Sequence, residues 1–197
     1  MGIITDASPR GWGALLVKVV AGERHQLMPV EAVEGLISET EAKLLKVESG
    51  EASSQAVMET LAMVKAFDRW GSKFKERAVM IRSDSTVALA MSRRLSSPHP
   101  SLNFLAAELS LRLEKFQVQR LALHHLRGSW NAEADWLSRI FDRGDKPRPP
   151  GLEGVHLRRA GPWTASNFWL KAPGDETAEA WECFTPQDSV FEHISTR

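Results

Sequence analysis

Three strand-like runs crowd into the first 37 residues, separated only by turns, and this directs the chain toward antiparallel strands in one sheet. An apolar run over residues 2–5 leads into Asp6. Ser8-Pro9-Arg10-Gly11 then reads as a turn, because proline and glycine sit where turns need them. Residues 12–20, rich in valine and leucine, form a second run, and Gly22-Glu23 marks a hairpin before a third over 26–37. Pro29 lacks an amide proton, so this third strand is expected at an edge or to be irregular.

From there helical periodicity takes over. Residues 39–48 are charged and helix-favouring, and Ser49-Gly50 breaks them. Ser53 or Ser54 is the expected cap of a longer helix reaching Trp70, with Val57, Leu61 and Val64 at helical spacing. Residues 77–83 read as a strand ending at Asp84, and 86–94 as a short helix. Residues 101–116 form an amphipathic helix with Leu102, Leu105, Leu109 and Leu113 on one stripe. A strand over 118–126 is stopped by Gly128-Ser129, and Asn131 is placed to cap a last helix reaching residue 140 or 141. Antiparallel strands followed by alternating helices and strands imply an α/β fold, a mixed sheet with helices packed on it.

The character changes beyond Asp142. Residues 146–151 are a proline-rich linker by composition, and the remainder holds Trp163, Trp169 and Trp181 without periodicity. From Ala172 onward there are six acids and one arginine. The expected organisation is a domain over 1–141 and a linker with a tryptophan-containing acidic tail over 142–197. The tryptophans are expected to pack on the domain's own surface. Cys183 is the only cysteine, which excludes a disulfide framework and a cysteine-rich zinc site and favours a reducing, intracellular compartment, cytoplasmic or nuclear. No apolar run approaches membrane-spanning length, and the first residues lack the basic-then-apolar pattern of a signal peptide. Zero net charge argues against tight free-standing nucleic-acid binding.

Four acids stand out by position: Asp6 after the first strand, Glu59 in the long helix, Asp84 at a strand end, and Asp135 in the first turns of the last helix. Singly, each has an ordinary alternative. Asp6 can serve a turn, Asp84 can cap a helix, Asp135 suits a helix dipole, and Glu59 can face solvent. Ala62 and Ala66 share the stripe of Glu59, however, and their small size lets that face approach the sheet. Converging carboxylates repel unless divalent cations neutralise them, and hard oxygen ligands select Mg²⁺ or Mn²⁺.

The surrounding residues sharpen this. Thr5-Asp6-Ala7-Ser8 with Gly11-Trp12-Gly13-Ala14, Glu59-Thr60-Leu61-Ala62, Ser83-Asp84-Ser85-Thr86, and His125 through Asn131 to Ala134-Asp135-Trp136-Leu137-Ser138-Arg139 resemble, in order, the four motifs of retroelement ribonuclease H domains. The last is similar to those of gypsy-type and tyrosine-recombinase-type retrotransposons. The resemblance covers residues 2–141. It implies a ribonuclease H-like fold with a five-stranded mixed sheet flanked by helices. It implies an endoribonuclease that hydrolyses the RNA strand of RNA–DNA hybrids with two Mg²⁺ or Mn²⁺ ions. Asp6, Glu59, Asp84 and Asp135 would be the metal ligands, and His125 would assist proton transfer or product release beside the scissile phosphate. Ser85, Thr86 and Asn131 would be substrate contacts, although Asn131 can equally do no more than cap its helix. An upstream reverse transcriptase domain in a longer polyprotein is the implied partner. His124, by strand alternation, is read as structural.

The sequence departs from the pattern in places. Only four residues precede Thr5, the acidic stretch 39–51 reads as an insertion, and Arg93-Arg94 stands where some cellular members carry a basic protrusion. Two competing functions are a catalytically silent module of the same fold, and a DNA-acting nuclease or strand transferase of the wider superfamily. The intact acid set speaks against the first. The last acid being Asp135 instead of a glutamate on a long helix speaks against the second.

Overall fold

The computed structural model describes residues 1–20, 26–47, 52–128, 131–142 and 147–174. The sequence features at Gly22-Glu23, Ser49-Gly50, Trp181, Cys183 and the acidic end lie outside them. Strands β1 (Gly2–Ala7), β2 (Gly11–Val20) and β3 (Gln26–Leu36) form the expected antiparallel meander. Helix α1 (Glu39–Leu44) is shorter than the charged run predicted. Its N-cap is Ser38, in a capping box with Glu41. Helix α2 (Ala52–Trp70) begins early enough that Ser53 and Ser54 lie inside it, not at its cap. Then come β4 (Ala78–Ser83), α3 (Thr86–Arg94), α4 (Pro100–Lys115), β5 (Arg120–His125) and α5 (Ala132–Ser138).

Among the described residues the sheet has six strands, not five, in the order β5-β4-β1-β2-β3-β6. The extra strand, β6 (His156–Ala160), pairs parallel to β3 from Glu31↔His156 to Gly35↔Ala160. Pro29 is irregular as expected. The β2–β3 register slips between Leu16↔Glu31 and Val17↔Pro29, and residues 26–30 of β3 have no partner in β6.

Helices cover both faces. On one, α2 and α4 bury Ile3, Leu16, Leu61, Phe67, Ile81 and Leu105 in the larger core. On the other, α5 closes a smaller core of Ile4, Leu15, Val17, Ala134, Leu137 and Leu152. Helix α5 lies directly on β2. A side chain on Gly13 would collide with Leu137 and the Ala134 carbonyl, and one on Gly11 with the Ser138 carbonyl. The Gly-Trp-Gly spacing is thus a packing requirement of α5, while Trp12 between them is buried on the opposite core and lies against Gly35.

Residues 147–174 wrap the sheet edge. Leu152 enters the α5-side core, β6 extends the sheet, and the segment then reaches the helical face. Trp163 and Phe168 pack edge to face at 5.2 Å, and Phe168 meets Phe104 of α4. Two buried carboxylates hold this segment by its backbone. Glu41, ion-paired to Lys65 of α2, accepts the Trp163 amide at 3.0 Å. Glu108, ion-paired to Arg112 one turn on, accepts the amides of Trp169 at 2.9 Å and Leu170 at 2.6 Å. Arg112 in turn donates to the Asn167 carbonyl at 3.1 Å and lies against the Trp169 ring. Burial pulls the Lys65 ammonium below the usual lysine range, with Glu41 opposing it. Trp163 and Trp169 thus pack on the chain's own helical face.

Ending the chain after Asp142 strips Leu152, Trp163 and Phe168 from the two cores and opens both ion pairs to water. Each such side chain is worth on the order of 2–5 kcal/mol when buried. Urea unfolding is expected to show a fall of several kcal/mol; an unchanged midpoint would mean the wrap is only adherent.

Candidate active site

Strands β1 and β4 run parallel, so their C-terminal ends open on the same side of the sheet. Their pairing stops at Ile4↔Arg82, and the two strands part where Asp6 and Asp84 stand. Helix α2 brings Glu59 to the same point, with Ala62 and Ala66 fully buried along its stripe. Carboxylate oxygens of Asp6, Glu59 and Asp84 all lie within 4.8 Å of one another. Asp6 is 4% exposed and Glu59 5%, so their charges are held away from water.

Two of the three acids are positioned by donors. Asp6 accepts the Asn131 amide at 3.1 Å and the Ser138 hydroxyl. Gln55, one turn before Glu59, donates to Glu59 at 3.0 Å and to the Ala7 carbonyl at 2.7 Å. The second carboxylate oxygen of Glu59 is buried with no hydrogen-bond partner. Burial pushes Asp6 up to about 6; the Ser138 hydroxyl opposes this, and Asp84 and Asp135 add to it. Burial pushes Glu59 up to about 8, with Asp6 and Asp84 adding repulsion. An all-oxygen donor set with an orphaned carboxylate oxygen and this repulsion fits a divalent cation of the Mg²⁺ or Mn²⁺ kind.

Asp135 is not in this trio. It sits in the first turn of α5, near enough to raise Asp6, but its carboxylate is ion-paired with Arg139 one turn on. The pair is partly exposed, and it raises the Arg139 guanidinium above its ordinary value. Asn131 occupies the position before α5 but makes no side-chain cap bond. It is buried, and its amide is directed at Asp6, not at solvent.

At the mouth of the site, His125 ends β5, beside Ser83 of β4. Its Nε2 lies 3.1 Å from the Asp84 carbonyl and its ring is exposed. His124, read from sequence as structural, is exposed as well. Ser85 is the N-cap of α3, accepting the Ala88 amide at 3.2 Å, so the cap role that Asp84 could have had is taken. Beyond that bond the Ser85 hydroxyl keeps its proton and a second lone pair for other contacts, and Thr86 is exposed beside His125. Sequence reasoning missed Gln55, Ser138 and Arg139 as site residues. Gln55 lies four positions before Glu59, Arg139 four after Asp135, and Ser138 three after Asp135; these helical spacings were the available signal.

The raised carboxyls set a pH dependence for the metal-free protein. Their folded pKa values lie above the unfolded ones, so between about pH 4 and 8 the folded state binds more protons than the unfolded. Stability is therefore expected to fall as pH rises through that window, by on the order of a few kcal/mol. Melting in a chelator should show the fall, and millimolar Mn²⁺ should reverse it at pH 8. A melting point independent of pH in chelator would refute the coupling.

No protein-family model matches the chain, and no curated protein matches it by sequence. Solved structures do. Ribonuclease H1 of the halophilic archaeon Halobacterium salinarum is 16% identical, with a TM-score of 0.51 over 72% of this chain and 96% of its own. The metagenomic compost enzyme LC11 ribonuclease H1, solved in complex with an RNA/DNA hybrid, is 21% identical, with a TM-score of 0.49 over 69% of this chain and 91% of its own. The N-terminal ribonuclease H domain of a Mycobacterium tuberculosis protein is 18% identical, with a TM-score of 0.48 over 71% and 91%. The architecture, a mixed sheet with helices on both faces and acids gathered where β1 and β4 part, is a ribonuclease H-like fold.

Proposed function

We propose that the chain is a metal-dependent nuclease that hydrolyses the RNA strand of RNA–DNA hybrids during retroelement reverse transcription. The observation that carries this reading is the trio of Asp6, Glu59 and Asp84, two of them buried, whose mutual repulsion is opposed only weakly by Arg139 acting on Asp6. The fold and the four motifs in order support the same reading, and the motifs supply the retroelement context and the upstream reverse transcriptase partner.

Asp6, Glu59, Asp84 and Asp135 would hold two Mg²⁺ or Mn²⁺ ions, with Asp6, Glu59 and Asp84 gathered as one ligand set. Bound there, such ions supply a polarised water and neutralise charge on a phosphodiester. The chain's own residues do the positioning. Asn131 and Ser138 hold both oxygens of Asp6, and Gln55 fixes one oxygen of Glu59, leaving the other free to ligate. His125, anchored at the Asp84 carbonyl on an exposed strand end, is placed to give or take a proton beside the reacting phosphate. Thr86 would contact the sugar–phosphate backbone. Residues 1–141 are assigned as the catalytic unit, with 142–197 as an accessory segment. Among the described residues no helix is long and apolar enough to cross a membrane.

One assay separates this from its rivals. Matched RNA–DNA hybrid, double-stranded RNA and double-stranded DNA are incubated with the chain in Mg²⁺, Mn²⁺ or chelator. Metal-dependent loss of the RNA strand of the hybrid alone is expected. Cleavage of duplex DNA would favour the DNA-acting alternative, and no cleavage with metal bound would favour a silent module.

Two substitutions test the residues. Asp84→Asn should fold normally, since Ser85 holds the helix cap, and should lose ~10²- to 10³-fold in rate, the effect of weakening one charge contact in the transition state. Cleavage at the unaltered rate would remove Asp84 from the site. His125→Ala should slow turnover by ~10²- to 10⁴-fold, the usual worth of a positioned acid–base group. Calorimetry should find its Mn²⁺ binding unchanged; loss of a metal site would contradict the role given to His125.

A further inference from the structure

Two stretches of this neutral chain carry a local surplus of positive charge. Residues 77–107 and 116–131 hold Arg77, Arg82, Arg93, Arg94, Arg120 and Arg127, and a single acid, Asp84. These stretches build β4, α3, the first half of α4 and β5, on the half of the sheet beyond β1; the second half of α4 adds Glu108 and Glu114. Between α3 and β5 lies an open hollow of about 270 Å³. Leu89 and Leu123 contribute apolar wall, and Thr86, Arg93, Arg94 and His125 the polar rim. Arg93 and Arg94 are exposed in the last turn of α3, and neither is ion-paired with any described residue.

We propose that this hollow seats a backbone phosphate of the nucleic-acid strand that passes the acidic trio, with Arg93 and Arg94 as its cations. The inference rests on the nuclease reading and adds where the strand runs. His125 ties the two places together: it lines the hollow and its Nε2 lies 3.1 Å from the Asp84 carbonyl. A strand whose reacting phosphate lies at Asp84 and His125 therefore has the hollow next to it. Thr86 and Arg93 are seven residues apart on one helix, roughly 10 Å along its axis, so the arginines address a phosphate other than the reacting one. The hollow is smaller than an ordinary small-molecule site and wide open, which suits a phosphate held on an exposed backbone better than an enclosed ligand. Two unpaired guanidiniums over an apolar wall match the bidentate geometry of phosphate oxygens. The acids would repel a polyanion by themselves, so this basic flank gives a neutral chain the local charge to hold one.

The test is the salt dependence of binding, read on hybrid by fluorescence anisotropy in an Asp84→Asn background so that the substrate survives. Arg93→Ala/Arg94→Ala is compared with Lys18→Ala/Lys75→Ala, which removes two exposed charges at the opposite end of the sheet. Each phosphate contact contributes ~0.9 to the slope of log affinity against log salt. The arginine pair is expected to lower the slope by about one with no change in Mn²⁺ binding, and the lysine pair to leave the slope alone. An equal slope in the arginine variant would overturn the hollow while the nuclease reading stands. Failure of the parent to bind hybrid at all would overturn both. Inorganic phosphate and single strands are run beside the hybrid: inorganic phosphate binding lost in the arginine variant, with hybrid slope unchanged, would make the hollow a small-anion site and also overturn the proposal.

Discussion

The contact of α5 with β2 is what the rest of the site depends on. It exists because positions 11 and 13 are glycines; a side chain on either would strike the helix backbone or Leu137. That approach brings Asn131 and Ser138 against Asp6, and Asp135 within electrostatic reach of it. The two glycines lie far from the carboxylates in chemistry, yet they decide whether Asp6 is held from two sides or left to rotate. Function here is built on packing distance before it is built on charge.

Charge then works against the fold. Three carboxylates within 4.8 Å, two of them buried, oppose folding unless they are protonated or neutralised. The chain answers with donors instead of cations at the trio itself. Ser138, Asn131 and Gln55 satisfy some of the carboxylate oxygens and leave one on Glu59 open. The nearby cation, Arg139, is spent on Asp135. A site arranged this way stays short of positive charge, and an incoming divalent ion meets ligands already aimed.

Much of this was legible in the sequence, because the signals were local. The bounds of α3 agree with the helix read over 86–94 and those of α4 agree within a residue, and Asp6, Glu59 and Asp84 come together as their places in the elements imply. The local misses are helix ends, at α1 and at the start of α2, and the larger ones are non-local. Asn131 looks like a helix cap because it precedes a helix; only the folded sheet shows its amide turned to Asp6, 125 residues away. Strand β6 was invisible since His156-Leu157-Arg158-Arg159-Ala160 carries one large apolar residue and no alternation. It is a strand because β3 offers an open edge there, and because Arg159 reaches the buried Glu34 at 2.7 Å. The wrap onto Glu41 and Glu108 uses backbone amides, which every residue has and no pattern reveals.

That wrap also sets a timetable. The amide that Glu41 accepts follows it by 122 residues, which at ribosomal speed is a delay on the order of ten seconds. During that interval the meander, α2 and α4 have been made, but Glu41, Lys65, Glu108 and Arg112 have no cover. The helical face of the nascent chain is therefore polar and open until its last described residues emerge, and those residues act as a clasp that closes only on a nearly finished domain.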